Sequence, residues 1–316
     1  MIVSWQKKLF ALHSDYDALT QEAWMHQYAQ NPVCQRFADA LQTKEPTFLP
    51  IACFKHFELK AETWQEQALF ESSGTTGQTP SRHFVRDLDL YKRISIEGFF
   101  RFFPKKEYKI LALLPSYLER GNSSLVQMVR FWIESFGLPN SGFYLHNFEE
   151  LAKAIYETEG EPILLIGVAY ALLDFAEYFD GNMPPHTLVI ETGGMKGRKA
   201  ELTREELHTE LQQGLGVSHI YSEYGMTELM SQAYFLQDKR FHAPPWLKIV
   251  ISDIHLPTLP VPIGTTGRIN VIDLGNIHTC SFIATDDLGK MHADGSFEVL
   301  GRIDYAEMRG CNLMYV

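Results

Sequence analysis

"TLVIETGGMKGRKAELTREELHTELQQGLGVSHIYSEYGMTE" runs from Thr187 to Glu228. It opens with a short apolar run, "TLVIETGG" (Thr187–Gly194), and closes with another, "HIYSEYG" (His219–Gly225), each stopped by glycine. Short apolar runs bounded in this way read as buried strands. Between them "TREELHTELQQGLG" has a helical pattern, and Thr203 with Glu206 three residues on forms a capping-box signature. Strand, helix and strand in succession predict a parallel crossover unit. The alternation extends upstream, with "KILALLP" (Lys109–Pro115), "SSLVQMVRFWIESFG" (Ser123–Gly137) and "PILLIGV" (Pro162–Val168). The expected fold class is therefore α/β, with parallel sheets flanked by helices. Ligands on such sheets gather at the carboxyl ends of the strands, where "ETGGMKG" and "SEYGMTE" fall.

The flanks read differently. Residues 1 to 45 are helical in pattern, with Asn31-Pro32 as a cap and first-turn proline, then a stripe of Val33, Phe37 and Leu41. "PTFLPIACFKHFEL" (Pro46–Leu59) reads as an irregular link. After Trp246 the runs "WLKIVIS", "GRINVIDL", "CSFIATDDLG" and "SFEVLGR" are strand-like, with no long helical pattern between them. The expected organisation is a helical segment over 1–60, a core over 61–300 with a β-rich lobe at 246–300, and a hinge and tail over 301–316.

Composition excludes some classes. A hydrophobic share of 45% and a charged share of 21% are ordinary for a soluble globular chain. A formal charge of −11 opposes a sequence-independent grip on nucleic acid and a polybasic membrane surface. The four cysteines, Cys34, Cys53, Cys280 and Cys311, form no C-x-x-C pair, so they suggest neither a zinc knuckle nor a disulfide framework. No apolar run is long enough for a membrane span and none opens the chain as a signal peptide, so the expected location is the cytoplasm.

"FESSGTTGQTPSRH" (Phe70–His83) is short of bulky side chains and rich in hydroxyls and glycine. Backbone N–H groups that glycine leaves accessible, with Ser/Thr hydroxyls beside them, suit a phosphate. A polar surface turn is the competing reading. The loop is not a G-x-x-x-x-G-K-[ST] phosphate loop, and the chain has no G-x-G-x-x-G, H-E-x-x-H or G-x-S-x-G.

Four stretches taken in order, "SSGTTGQTP" (Ser72–Pro80), "EYGMTE" (Glu223–Glu228), "TDDLG" (Thr285–Gly289) and "GRIDYAEMRG" (Gly301–Gly310), resemble the adenylate-forming superfamily. Its members include acyl-CoA synthetases, peptide-synthetase adenylation domains and luciferases. The resemblance implies ATP and Mg²⁺ as cofactors, and it implies roles for residues. Ser72, Ser73, Gly74, Thr75, Thr76 and Gly77 would cradle the triphosphate. Gly193, Gly194, Tyr224 and Gly225 would border the adenine, Thr227 would bond the α-phosphate and Glu228 would hold Mg²⁺. Asp287 would bond the ribose hydroxyls, with Arg302 near them and Asp304 at the hinge.

The chain departs from that superfamily where a C-terminal lid and its lysine would follow, for no lysine follows Lys290. The expectation is an adenylate-forming core with a truncated or absent lid. The tail "RGCNLMYV" and the phrases "LLPSYLERGNSSL" and "ETGGMKGR" are similar to the LuxE-like acyl-protein synthetases. That likeness implies activation of a fatty acid as acyl-AMP, capture of the acyl group on a cysteine near the C-terminus, and delivery to a partner reductase. Cys311, five residues from the end, matches that cysteine; a buried, inert thiol is the competing reading. Lys196 and Arg198 are the candidates to replace the lid lysine, and Tyr117 and Arg120 for the carboxylate site. Phe99, Phe100, Phe102 and Phe103 suit either an acyl pocket or plain core. Two alternatives stay open: a shortened ligase that uses coenzyme A, and a non-catalytic nucleotide-binding or scaffold subunit.

Overall fold

The computed structural model describes residues 2–11, 15–72, 79–115, 121–158, 160–193, 202–256 and 258–303. Helices α1 (Ile2–Phe10), α2 (Tyr16–Gln30) and α3 (Pro32–Ala40) lead to strand β1 (Leu49–Pro50) and the short helix α4 (Cys53–His56). Next come β2 (Ala68–Glu71), β3 (Arg82–Val85), α5 (Leu88–Phe102), β4 (Lys109–Leu113), α6 (Ser124–Phe136), β5 (Gly142–Tyr144) and α7 (Phe148–Tyr156). The crossover region contains β6 (Ile163–Val168), α8 (Ala169–Tyr178), β7 (Leu188–Thr192), α9 (Arg204–Leu215), β8 (Tyr221–Tyr224) and β9 (Ala233–Phe235). The strands β10 (Phe241–His242), β11 (Leu247–Ser252), β12 (Thr266–Asp273), β13 (Phe282–Met291) and β14 (Phe297–Arg302) complete the order. Contacts divide the chain into two compact units, Glu66–Lys239 and the pairing of Met1–Gln65 with Arg240–Val316.

The unit over 66–239 is built on the parallel order β5-β4-β6-β7-β8, with β9 antiparallel to β8. Every residue of β4 and β6 is buried. This is why "KILALLP" and "PILLIGV" are continuous apolar runs rather than alternating ones: both faces of a parallel sheet are covered. Helix α8 packs on β6 and β7, and α6 on β4. The capping box at Thr203 and Glu206 forms as its spacing predicts, and Gly216 closes α9 in the left-handed conformation at φ 65°. Phe99 is fully buried, stacks on Phe103 and Phe136, and lies 4.8 Å from the Trp132 ring. Among the described residues, Phe99 and Phe103 are thus core aromatics.

In the other unit β11, β12, β13, β14 and β10 form an antiparallel sheet, and β1 runs parallel beside β13. The connection from Leu274 to Ser281 is buried or nearly so, and its backbone groups need partners. The N-terminal helices supply them. Gln27 accepts from Ser281 N at 2.9 Å and donates to Asn276 O at 3.2 Å, Asn31 donates to Thr279 O at 2.8 Å, and Trp5 donates to Leu274 O at 3.0 Å. Those helices therefore fold onto the β-rich lobe.

Two local expectations are corrected. The buried side of α3 is Cys34 and Ala38, one position on from the stripe Val33, Phe37 and Leu41, and Leu41 is exposed. Small residues there allow closer packing. The segment Pro46–Leu59 is also more ordered than a link, since it contributes β1 and α4. Among the described residues no helix is long and apolar enough to cross a membrane.

Candidate active site

The Gly/Ser/Thr loop springs from a hairpin. β2 and β3 pair antiparallel with Phe70 opposite His83 and Glu71 opposite Arg82. Ser72 N donates to Ser81 O at 3.0 Å, and Ser81 N donates to the Ser72 hydroxyl oxygen at 2.9 Å, which clamps the loop's neck. Glu71 N donates to Asn122 O at 2.9 Å, so the neck is tied to the segment that opens α6. Of the proposed phosphate cradle, Ser72 stands in this neck; Ser73, Gly74, Thr75, Thr76 and Gly77 lie outside the described residues.

His83 was not singled out by the sequence, yet it joins two of the motifs. It is 1% exposed, and its Nδ1 lies 2.8 Å from the carbonyl oxygen of Thr227. A carbonyl only accepts, so Nδ1 is the protonated nitrogen in this bond. The hairpin carrying the glycine loop is thereby fastened to "YGMTE". Tyr224 is buried at the end of β8, Glu228 is 5% exposed, and Thr227 is half-buried between them.

The carboxyl ends of β7 and β8 hold a cluster that sequence reading missed. Thr192 is opposite Glu223 in the parallel register, and its hydroxyl donates to the Glu223 carboxylate. Burial pushes the Glu223 carboxyl up to about 7; the Thr192 bond opposes this and the nearby Glu191 adds to it. Alternation sends Glu191 and Ser222 to another partner, His208 on α9. His208 Nε2 lies 3.6 Å from Glu191 Oε1 and 3.1 Å from Ser222 Oγ. Arg204, one turn earlier, sits over the Phe235 ring at 5.2 Å, and burial lowers its pKa. Gly225 has a steric reason, because a Cβ there would overlap the Glu223 carboxylate. Gly193 takes φ 69° just after β7. Gly194, Lys196, Arg198, Tyr117 and Arg120 lie outside the described residues.

In the other unit, Asp287 on β13 is opposite Arg302 on β14, with Arg302 Nε 3.6 Å from Asp287 Oδ1. The Asp287 side chain is 14% exposed and that of Arg302 87%. Two residues assigned separately to the ribose are thus neighbours across one antiparallel pair. Cys34 and Cys280 are buried with their sulfurs 3.8 Å apart, and this contact, with burial, pushes the Cys34 thiol well above its ordinary range. Burial also raises the Cys53 thiol. None of these suits nucleophilic work. Cys311 and Asp304 lie outside the described residues.

The sequence profile of "Acyl-protein synthetase, LuxE" matches residues 135–315, more than half of the chain. The chain belongs to the LuxE acyl-protein synthetase family. A search of curated protein sequences finds no match. Solved structures add the fold. ATP-bound MatB from Rhodopseudomonas palustris is 18% identical with a TM-score of 0.54, over 74% of this chain and 48% of that one. A 2-hydroxyisobutyryl-CoA ligase in complex with 2-HIB-AMP and CoA is 10% identical with a TM-score of 0.67, over 91% and 67%. A luciferase-like enzyme from the nonluminescent mealworm Zophobas morio is 17% identical with a TM-score of 0.50, over 77% and 60%. This LuxE-family chain thus has the α/β fold of the adenylate-forming enzymes. It spans about half the length of the MatB structure.

Proposed function

We propose that this LuxE-family chain activates a carboxylic acid, a fatty acid in particular, with ATP and passes the acyl group to the thiol of Cys311. The observation that carries the reading is the bond from His83 to the Thr227 carbonyl, which makes the glycine-loop hairpin and "YGMTE" one assembly at the strand ends. In the first step a carboxylate oxygen of the acid attacks the α-phosphorus, the bond to pyrophosphate breaks, and acyl-AMP forms. In the second the Cys311 thiolate attacks the acyl carbon, a thioester forms and AMP leaves. Nucleophilic capture of this kind needs the ionised thiol, which a guanidinium such as that of Arg309, two residues away in the sequence, would favour.

The residue roles follow the motifs. Ser72, Ser73, Gly74, Thr75, Thr76 and Gly77 hold the β- and γ-phosphates. Gly193, Gly194, Tyr224 and Gly225 border the adenine, and Thr227 bonds the α-phosphate. Asp287 takes the ribose hydroxyls, with Arg302 oriented by their ion pair. Among the described residues no three His, Cys, Asp or Glu side chains converge to hold a metal. A single buried carboxylate, Glu228, fits Mg²⁺ only as a partner of phosphate oxygens and water, which is this ion's usual mode. Bound there, Mg²⁺ would neutralise charge on the phosphates. Lys196, with Arg198, offsets charge at the α-phosphate. The acyl group then passes to a partner reductase, and residues 301–316 act as the hinge and tail that carry Cys311.

Intact-protein mass spectrometry after incubation with ATP, Mg²⁺ and a mixture of fatty acids tests this reading. An acyl-sized gain that hydroxylamine releases and Cys311→Ser abolishes supports it. Pyrophosphate release with acyl-CoA as the product would instead favour a ligase that uses coenzyme A, and ATP binding without pyrophosphate release a non-catalytic subunit.

A further inference from the structure

The parallel sheet of residues 66–239 has an opposite end. Loops 104–108, 183–187 and 216–219 feed the amino ends of β4, β7 and β8, and together they line a half-open cavity of about 380 Å³. That volume lies within the range of small-molecule sites. The five residues of β7 separate it from Gly193 by roughly 15 Å at the usual rise per residue. The cavity is therefore distinct from the strand-end cluster.

Its charge is one-sided. Lys106, His186 and His219 border it and no Asp or Glu does, in a chain with 39 acidic residues against 28 Lys and Arg. Lys106 Nζ has an aromatic neighbour, sitting 5.3 Å from the centre of the Tyr108 ring. Met183, Pro184, Leu188 and Val217 give it an apolar wall, and Thr187, Ser218, Tyr221 and Gln237 add uncharged polar groups.

The lining is also fixed in place. Tyr108 is buried and its hydroxyl donates to Pro104 O at 2.8 Å, which closes the first loop. In the second, Met183 N donates to Leu215 O at 2.9 Å, and the Thr187 hydroxyl donates to Pro184 O at 2.7 Å. His186 is held at φ 68°, a left-handed conformation uncommon for a residue with a side chain. Gln237 Nε2 donates to the Tyr221 hydroxyl at 3.0 Å across the rim. Loops tied in this way lose little backbone freedom on binding.

We infer that this cavity binds a small organic anion, its carboxylate or phosphate head held by Lys106, His186 and His219 and its apolar body against Met183, Pro184 and Val217. An inorganic ion alone would leave the apolar wall and most of the volume unused. An anion supplies a counter-charge to the Lys106 ammonium and acceptors for the imidazole N–H groups, and a neutral apolar molecule supplies neither. The inference is independent of the acyl-adenylate reading, since no residue of the cavity belongs to that site.

The test is a titration of the full chain followed by the imidazole signals of His186 and His219 in nuclear magnetic resonance spectra. Benzoate and phenyl phosphate are the probes, and benzyl alcohol is the uncharged control. Saturable movement of both signals with one or both anions, and none with the alcohol, is expected; the tighter probe identifies the head group. Lys106→Gln should weaken that binding about two- to fivefold, the scale of one lost exposed charge partner. His186→Asn, which tolerates a left-handed backbone, should do the same if Lys106→Gln fails to fold. Signals unmoved at about 10 mM of both anions, a range that covers millimolar binding, would overturn the inference. So would equal affinity in the folded variants, or an alcohol that binds as well as the anions.

Discussion

Glu223→Gln should remove a pH dependence of stability that its carboxyl imposes. The folded carboxyl titrates at about 7, against an ordinary 4.5, and burial is the main cause. Between those values the folded chain keeps a proton that the unfolded chain has lost. The associated stability is therefore complete below about pH 4.5, falls as pH rises towards 7, and changes no further above it. The gap corresponds to roughly 3 kcal/mol. Glutamine is of similar size, carries no charge and keeps an oxygen for the Thr192 hydroxyl, so only the titration is deleted. Urea unfolding of parent and variant at one-unit steps between about pH 4.5 and 8.5 gives the difference, in which other titrating groups cancel. The variant should match its parent near the acid end and exceed it by roughly 3 kcal/mol above neutrality. A constant difference would mean that Glu223 titrates normally. A difference of the opposite slope would mean that the carboxylate is held charged by a partner such as Arg204, and either result would refute the reasoning.

Asn31→Ala should cost about 2 kcal/mol, because one side chain both caps α3 through Val33 N and Cys34 N and donates to the buried Thr279 carbonyl. A loss below about 0.5 kcal/mol in urea unfolding would count against that double role. Gly225→Val should slow acyl-AMP formation about tenfold or more by displacing the Glu223 carboxylate beside Tyr224, read by ATP–pyrophosphate exchange; a parental rate would show that the strand end adapts. Lys196→Ala should slow the same exchange about tenfold or more, and an unchanged rate would remove Lys196 from the mechanism.

The strands that set the parallel sheet were legible because burial on both faces leaves an unbroken apolar run, as in "PILLIGV". The helix caps at Asn31 and Thr203 were legible because their side-chain chemistry is local. What escaped depended on tertiary position. The buried side of α3 uses Cys34 and Ala38, whose small size is an asset only once the neighbouring chain is known. β2 and β3 are four residues each, too short to stand out beside the loop they carry. His83 is a lone histidine, and nothing in its neighbours announces Thr227 as its partner. A signal for Glu191 and Glu223 was present, since a carboxylate inside an otherwise apolar strand asks for a partner, but the partners came from α9 and from the adjacent strand. Asp287 and Arg302 came from separate motifs, and only the β13–β14 register makes them a pair.

The proposed reaction sets a triphosphate beside a sheet end that carries Glu191, Glu223 and Glu228, and like charges there would oppose binding. The structure answers for two of the three. Glu191 has the imidazole of His208 at 3.6 Å, and it interacts with the half-buried Arg204 guanidinium. Glu223, raised to about 7 and bonded by Thr192, is protonated in a large share of molecules at neutral pH. Glu228 is the carboxylate proposed to meet Mg²⁺. On this account the protonation of Glu223 has a consequence beyond stability. A carboxyl that is protonated in a large share of molecules lowers the negative charge that an acid-rich strand end sets against a polyanion.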